Sequence, residues 1–146
     1  MTIRDQMKLF CTCLCRQDEL YAAAARRRGL SFHTLITLYA LDQDEGSTQS
    51  QLARAWMIPK QTLNTVVKEL ERQGHVSLGA GKDQKEKRVF LTPEGRDFAA
   101  DSLRELYAME DRAVAAVGPE RFREMVEANR AFTEAFAREV RNGTRK

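Results

Sequence analysis

The segment Lys82–Arg88, KDQKEKR, places six charged side chains in seven positions, between two short apolar runs. Lysine and arginine side chains bind polyanions, but an isolated run of charge is most often a solvated loop. The wider charge distribution favours a polyanion partner. Residues 48–92 contain eight basic and four acidic side chains, net +4, whereas residues 1–47 are neutral and residues 93–146 have net −1. The excess positive charge of the chain therefore lies in its middle third.

A second set of polar side chains lies on one face of the segment PKQTLNTVVKELERQG. At about 100° per helical residue, four apolar side chains share one narrow arc: Leu63, Val66, Val67 and Leu70. The opposite arc carries hydrogen-bond donors and no carboxylate: Gln61, Thr65, Lys68 and Arg72, with Asn64 beside them. Amides pair with adenine edges, threonine contacts the thymine methyl group, and cations contact phosphate or guanine. This face has the residue types that read duplex DNA; an ordinary amphipathic helix is the alternative.

Local start and stop signals place the two polar sets on neighbouring elements. Thr48 and Gln51 form a capping box that begins a short helix. Pro59 disfavours helix at the preceding residue and suits the first turn of the next helix, which ends at Gly74. Two short helices joined by a tight turn predict a helix-turn-helix. The runs HVSL and RVFL alternate apolar and polar residues and predict a half-buried hairpin, with the charged segment at its tip.

Long helices are predicted on both sides of this region. Apolar spacing predicts a first helix over residues 3–27, ended by Gly29. The segment DQDEGS is predicted as a loop, and Thr92 is predicted as the N-cap of a long helix that begins at Pro93. The other predicted helices span residues 31–42, with Ser31 as N-cap, then 93–117 and 120–140. The expected fold is mainly α with a small β-hairpin wing, which is the winged helix-turn-helix order.

Several short motifs within this order resemble one family. Residues 59–95 read PKQTLNTVVKELERQGHVSLGAGKDQKEKRVFLTPEG. The KQT motif, the Leu-Glu pair before a helix-ending Gly, the Asp-x-Lys at the hairpin tip and the LTPEG closure resemble the MarR family of transcriptional regulators. The resemblance covers nearly the whole chain in element order. It implies a single MarR-like domain over residues 1–146, with residues 30–92 as the DNA-binding lobe and residues 1–29 and 93–146 as the helical dimerisation lobe.

The resemblance implies a homodimer that binds a pseudo-palindromic operator in double-stranded DNA and acts as a repressor. Helix-turn-helix proteins place the N-terminal residues of their second helix in the major groove, and by resemblance each wing lies along a minor groove. The predicted DNA-contacting residues are Lys60, Gln61, Thr62, Asn64, Thr65, Lys68, Arg72, Lys82, Lys85, Lys87 and Arg88. Family wings commonly carry Arg two residues after Asp, whereas here Lys85 follows Asp83. Lysine lacks the planar fork of arginine, so Lys85 is expected to contact phosphate rather than read bases.

Two hypotheses address what releases the protein from DNA. By resemblance, a small aromatic ligand would bind between the dimer helices and the DNA-binding lobe. The candidate pocket residues are Phe10, Leu14, His33, Tyr39 and Trp56, and plain core packing also explains them. The second hypothesis is an oxidant, because some MarR relatives sense peroxide through a cysteine in the first helix. Cys11 and Cys15 share one helix side and are the candidate thiols; small buried hydrophobic side chains are the alternative.

Other functional classes are disfavoured. The sequence has no catalytic triad, no phosphate-binding loop and no H-E-x-x-H motif, so no enzyme and no cofactor are predicted. Three cysteines on one helix cannot all reach one ion, because Cys13 lies about 200° from Cys11, so no metal site is predicted. No apolar run approaches the ~20 residues that cross a bilayer, and the N-terminus lacks a signal-peptide pattern. A cytoplasmic protein with reduced thiols and no membrane partner is expected. A winged-helix protein-interaction module without DNA binding is the alternative.

Overall fold

The computed structural model describes residues 1–44, 46–80 and 86–144. In these ranges the helices are α1 Ile3–Arg27, α2 Phe32–Leu41, α3 Gln49–Trp56, α4 Lys60–Arg72, α5 Pro93–Val117 and α6 Pro119–Gly143, and the strands are β1 Ser47–Thr48, β2 Val76–Ala80 and β3 Lys87–Leu91. The predicted class, mainly α with a small β wing, is confirmed. The chain divides into two compact units, Met1–Arg104 and Glu105–Lys146. The predicted lobe boundaries at residues 30 and 92 stay predictions.

The predicted helix starts in the first unit are confirmed by their capping bonds. Thr48 Oγ1 accepts from the Gln51 backbone nitrogen at 3.1 Å, and Gln51 Oε1 accepts from the Thr48 backbone nitrogen at 3.0 Å. Ser31 Oγ accepts from the Thr34 backbone nitrogen at 3.1 Å and so begins α2. The same type of box begins α1, where Thr2 pairs with Asp5. Each bond satisfies a backbone donor that has no partner within the helix.

The turn between α3 and α4 depends on one left-handed residue. Met57 has φ 51° and ψ 44°, and the buried Ile58 follows it. Pro59 is the N-cap of α4, one residue earlier than the first-turn position that the sequence suggested. Only three residues, 57–59, therefore separate α3 from α4.

The sheet contains one strand more than the predicted hairpin. Ser47 and Thr48 form β1, which pairs antiparallel with β3 so that Ser47 lies opposite Val89. The strand order is β1-β3-β2, and Ala80 pairs with Lys87 at the end of the hairpin that the structure describes. The prediction of a loop through Ser47 was therefore wrong. A strand of two residues has no alternation of its own, so only its partner β3 reveals it.

The core of the first unit is apolar and closely packed. The least exposed side chains, each under 2% exposed, include Leu35, Leu38, Leu63, Leu103, Val67 and Val89. The four residues of the predicted apolar arc of α4 are all buried. Burial of one complete face prevents α4 from rotating about its axis, because rotation would expose these side chains to water. The opposite face of α4 is therefore held outward.

A tight junction joins the end of α4, β2 and the start of α5. Thr92 Oγ1 accepts from the Gly95 backbone nitrogen at 2.9 Å and donates to the Gly74 carbonyl at 2.6 Å. A Cβ on Gly95 would lie 1.7 Å from the His75 carbonyl oxygen, so only glycine fits there. The His75 ring stacks on Phe98 with centroids 4.0 Å apart. These contacts fix the position of β2 relative to α4 and confirm Thr92 as the N-cap of α5.

The second unit contains the end of α5 and the whole of α6. Helix α6 begins at Pro119 and ends at Gly143, slightly beyond the predicted bounds at both ends, and none of its residues is buried. Five of its large apolar side chains are between 38% and 56% exposed: Met125, Val126, Phe132, Phe136 and Val140. Phe132 and Phe136 stack on each other at 5.6 Å. Among the described residues, no helix combines the length and apolar character that a membrane crossing requires.

Candidate nucleic-acid interface

The polar arc of α4 faces solvent, as the sequence predicted. Five of its predicted DNA-contacting residues are exposed: Lys60, Gln61, Thr65, Lys68 and Arg72. Thr62 and Asn64 are half-buried. The Thr65 hydroxyl donates to the Gln61 carbonyl at 3.1 Å, which leaves the Thr65 methyl group available for an apolar contact. The arc thus presents amide, hydroxyl and ammonium groups along about three helical turns.

One carboxylate reaches this arc, although the sequence placed the acidic residues elsewhere. Arg72 Nε donates to Glu69 Oε2 at 2.9 Å, and Arg72 Nη2 donates to Glu69 Oε1 at 2.6 Å. The hydrogen bond from Arg72 holds the pKa of Glu69 below its usual value. No carboxylate was predicted on this arc itself, but a three-residue spacing lets Glu69 and Arg72 meet. The charge of Arg72 is therefore partly neutralised in the free protein.

Two predicted DNA-contacting residues, Lys87 and Arg88, lie at the base of the wing, and Arg88 is hydrogen-bonded to the backbone. Lys87 is exposed, whereas Arg88 is half-buried and its Nη1 donates to the Gly46 carbonyl at 2.9 Å. Arg88 thus connects β3 to the backbone just before β1. The predicted contacts Lys82 and Lys85, together with Asp83, lie outside the described residues.

A groove of about 340 Å³ joins the wing base to the helix-turn-helix. Its lining residues are Gln49, Ser50, Lys60, Asn64, Leu78, Glu86 and Lys87. Glu86 Oε1 accepts from Ser50 Oγ at 2.8 Å and from the Ser50 backbone nitrogen at 3.0 Å. These two bonds, with the nearby charge of Lys60, lower the pKa of Glu86. Ser50 and Glu86 were not predicted, because they are far apart in sequence and no local spacing links them.

Two of the five predicted pocket residues form an aromatic cluster with a third that was not predicted. Tyr39 meets Trp56 edge-to-face at 5.8 Å and Tyr21 at 6.4 Å. Trp56 is 40% exposed, so the cluster is open to solvent on one side. Phe10 is half-buried and Leu14 is exposed. The His33 ring packs edge-on against Phe32 at 5.4 Å. Whether the five residues line one pocket stays a prediction.

The three cysteines are all free and exposed along α1. The alternative that Cys11 and Cys15 are buried hydrophobic side chains is therefore wrong for the single chain. A surface groove of about 590 Å³ runs beside Cys15 and continues along α1 to Arg26. In the part of the chain that the structure describes, no group of three His, Cys, Asp or Glu side chains is placed to hold a metal ion.

Comparison with known proteins finds a family model that matches part of the chain and solved structures that share its fold. Residues 28–86 match the model of the MarR family. A MarR-family regulator from Neisseria meningitidis has 23% identity and a TM-score of 0.79, with 98% of this chain and 99% of that chain covered. The transcriptional regulator BldR from Sulfolobus solfataricus has 17% identity and a TM-score of 0.71, covering 92% and 99%. A MarR-family protein from Mycobacterium tuberculosis, in complex with p-aminosalicylic acid, has 25% identity and a TM-score of 0.62, covering 87% and 97%. Comparison with curated proteins gives no match.

A helix-turn-helix followed by an antiparallel wing and two long helices defines a winged-helix protein. The match to the MarR family model over residues 28–86, together with the fold shared along the chain, supports a similarity to the winged-helix regulators of that family. The resemblance predicted from the residue 59–95 motifs is confirmed. These similarities support a DNA-binding transcription regulator.

Proposed function

We propose that the chain is a homodimeric repressor that binds a pseudo-palindromic operator, with α4 in the major groove and the β2–β3 hairpin as a wing. The observation that carries the proposal is the division of α4 into a fully buried apolar arc and an exposed donor arc. A recognition helix must present its polar side chains in a fixed orientation, because base pairs are read by directional hydrogen bonds. The packing of α4 provides that orientation.

Roles for the individual side chains follow from their places on α4 and the wing. The residues proposed to read base edges are Gln61, Thr62, Asn64 and Thr65. The residues proposed to contact phosphate are Lys60, Lys68, Arg72 and Lys87, with Lys82 and Lys85 at the wing tip. Arg88 is proposed to contact DNA with the part of its guanidinium that Gly46 does not occupy, since Nη1 alone bonds to that carbonyl.

Dimer formation is proposed because α6 has an exposed apolar stripe. Met125, Phe136 and Val140 recur at helical spacings and are all at least 50% exposed. Contiguous exposed apolar patches mark interaction sites, since water contact with them is unfavourable. A second copy of the chain is the partner that supplies a matching stripe. The two recognition helices of such a dimer would meet half-sites about 34 Å apart.

A small aromatic acid is the proposed effector class. The Mycobacterium tuberculosis neighbour was solved with p-aminosalicylic acid, and this chain has an open aromatic cluster at Trp56. Trp56 is the last residue of α3, directly before the turn into α4, so a ligand that displaces its ring would shift the recognition helix. Trp56 is also the only tryptophan of the chain, so its fluorescence reports ligand binding directly. Titration with salicylates should change the emission and release DNA over the same concentration range.

Oxidation is the second proposed signal, supported by the exposure of Cys11 and Cys15. Solvent access is one of the two requirements for a reactive thiol. Peroxide should then lower operator affinity in the wild type, and a Cys11→Ser/Cys15→Ser variant should resist the change. If the double variant responds to peroxide like the wild type, these thiols are not the sensor.

The proposed DNA interface is tested with operators selected from a random duplex pool and a salt titration of their binding. Replacing Lys60, Lys68 and Lys87 with Ala should reduce the slope of log K against log salt by about 0.9 for each phosphate that the protein no longer neutralises. The matched control replaces Arg112, Arg121 and Arg138, which removes the same charge from α5 and α6. An unchanged slope in the lysine variant would refute the assignment. No binding of any duplex by the wild type at low salt would favour the protein-interaction alternative.

A further inference from the structure

Glu86 lies at the wing base, inside the groove that joins the wing to the helix-turn-helix. Its carboxylate accepts two hydrogen bonds from Ser50, the second residue of α3. Among the described residues that line this groove, Glu86 is the only carboxylate, whereas Lys60 and Lys87 are cations. The residue is exposed, so burial does not require its pairing with Ser50.

The groups around Glu86 are those that a DNA phosphate would use. Phosphate oxygens accept hydrogen bonds from hydroxyl and backbone N–H groups and attract ammonium groups. In the free protein the Glu86 carboxylate already accepts from the Ser50 hydroxyl and backbone nitrogen, and its charge interacts with Lys60. A bound phosphate backbone would also be repelled by this fixed negative charge, since like charges a few ångströms apart disfavour association.

We propose that Glu86 is an internal counter-charge that limits the affinity of this surface for DNA. Its carboxylate occupies the Ser50 donors and offsets the charge of Lys60, so DNA must compete with a group already in place. The inference rests on the proposed function, because it assumes that Lys60 and Asn64 face DNA. It assigns Glu86 a role opposite to that of its cationic neighbours in the same charged run. Such a residue keeps binding weak enough for a signal to reverse it.

The test compares four forms of the full chain: wild type, Glu86→Gln, Glu86→Asp and Asp97→Asn. Glutamine retains an oxygen that can accept from Ser50, so it removes the charge while preserving the wing contact. Aspartate retains the charge. Asp97 is exposed on α5, and its replacement removes one negative charge from a different element. Affinity for a fixed duplex is measured by fluorescence anisotropy between low and high salt, and circular dichroism checks that all four forms are folded.

Glu86→Gln should bind duplex DNA about three- to tenfold more tightly than the wild type at low salt, as expected for loss of one repulsion between exposed charges. The gain should shrink as salt is raised, because the Debye length falls from ~30 Å at 0.01 M to ~8 Å at 0.15 M. Glu86→Asp and Asp97→Asn should both stay within about twofold of the wild type.

Two results would overturn the proposal while the wild type still binds DNA. An equal gain in Asp97→Asn would show that total charge, not the place of Glu86, sets the affinity. Unchanged or weaker binding by Glu86→Gln would show that the carboxylate supports the wing rather than restraining it. Absence of duplex binding by all four folded forms would instead refute the proposed function, and the inference with it.

Discussion

Helices α4 and α6 have the same kind of sequence and opposite surroundings. Both carry apolar residues at helical spacing along one face. In α4 these residues are buried, with Leu63 1% and Leu70 2% exposed, whereas Phe136 of α6 is 56% exposed and no α6 residue is buried. Periodicity therefore shows that a helix has a face to cover, but it does not show whether the same chain covers it. The first unit has a buried apolar core, whereas α6 contributes no buried residue.

The largest expected effect is on the free energy of unfolding. It distinguishes the buried apolar face of α4 from the exposed apolar face of α6. Leu63→Ala should reduce the free energy of unfolding by about 3–5 kcal/mol, because it removes a fully buried side chain and leaves a cavity. Phe136→Ala, measured at concentrations where the chain is monomeric, should change stability by less than about 0.5 kcal/mol, since its side chain is 56% exposed and surface substitutions have small effects. Urea unfolding followed by circular dichroism measures both. Similar losses for the two variants would show that α6 is covered within the single chain.

The second prediction concerns the partner of α6. Phe132→Asp together with Phe136→Asp should weaken self-association at least about a hundredfold, equivalent to ~2.7 kcal/mol, because two charges would replace the most exposed aromatic pair. Analytical ultracentrifugation gives the dissociation constant. Asn129→Asp, which adds a charge to a neighbouring exposed position, serves as the control and should weaken association much less. A wild type that stays monomeric at millimolar concentration would refute the proposed dimer.

Local signals account for what the sequence predicted correctly. The capping box at Thr48, the glycine stop at Gly74 and the two arcs of α4 each arise within four residues or within one helix. Such features depend on backbone donors and side-chain spacing that are already present in the unfolded chain. The bounds of the helices and the presentation of the donor arc followed from them.

The missed features all depend on residues that are distant in sequence or on side-chain geometry. Strand β1 exists because β3 pairs with it, and the Glu86–Ser50 contact joins residues 36 positions apart. The pairing of Arg72 with Glu69 was local, but an idealised helical wheel ignores the reach of long side chains. Cys11 and Cys15 are exposed on α1, and helical spacing alone did not decide between this and the buried alternative.

The third prediction tests the junction between the end of α4, β2 and the start of α5, which lies in the first unit. Gly95→Ala should destabilise the chain by about 1–3 kcal/mol or more, because the added methyl group would collide with the His75 backbone, which cannot rotate away. Gly143→Ala, near the end of α6, is the matched control, since a Cβ there meets nothing within 4 Å. Thermal unfolding of both variants measures the difference. An unaffected Gly95→Ala variant would show that the α4–β2–α5 junction has room to shift.

The smallest expected effect on stability comes from a comparison of two threonine substitutions, one in each unit. Thr48→Ala should cost about 1 kcal/mol, because the Gln51 backbone donor loses its capping partner. Thr133→Ala on α6 removes a hydroxyl that donates to the Asn129 carbonyl within the helix. That carbonyl already has its place in the helical ladder, and alanine favours helix more than threonine does, so this variant should be neutral or slightly stabilising. Chemical denaturation at low protein concentration keeps self-association out of both measurements. If both substitutions cost the same, the stability of α3 comes from its tertiary packing rather than from its cap.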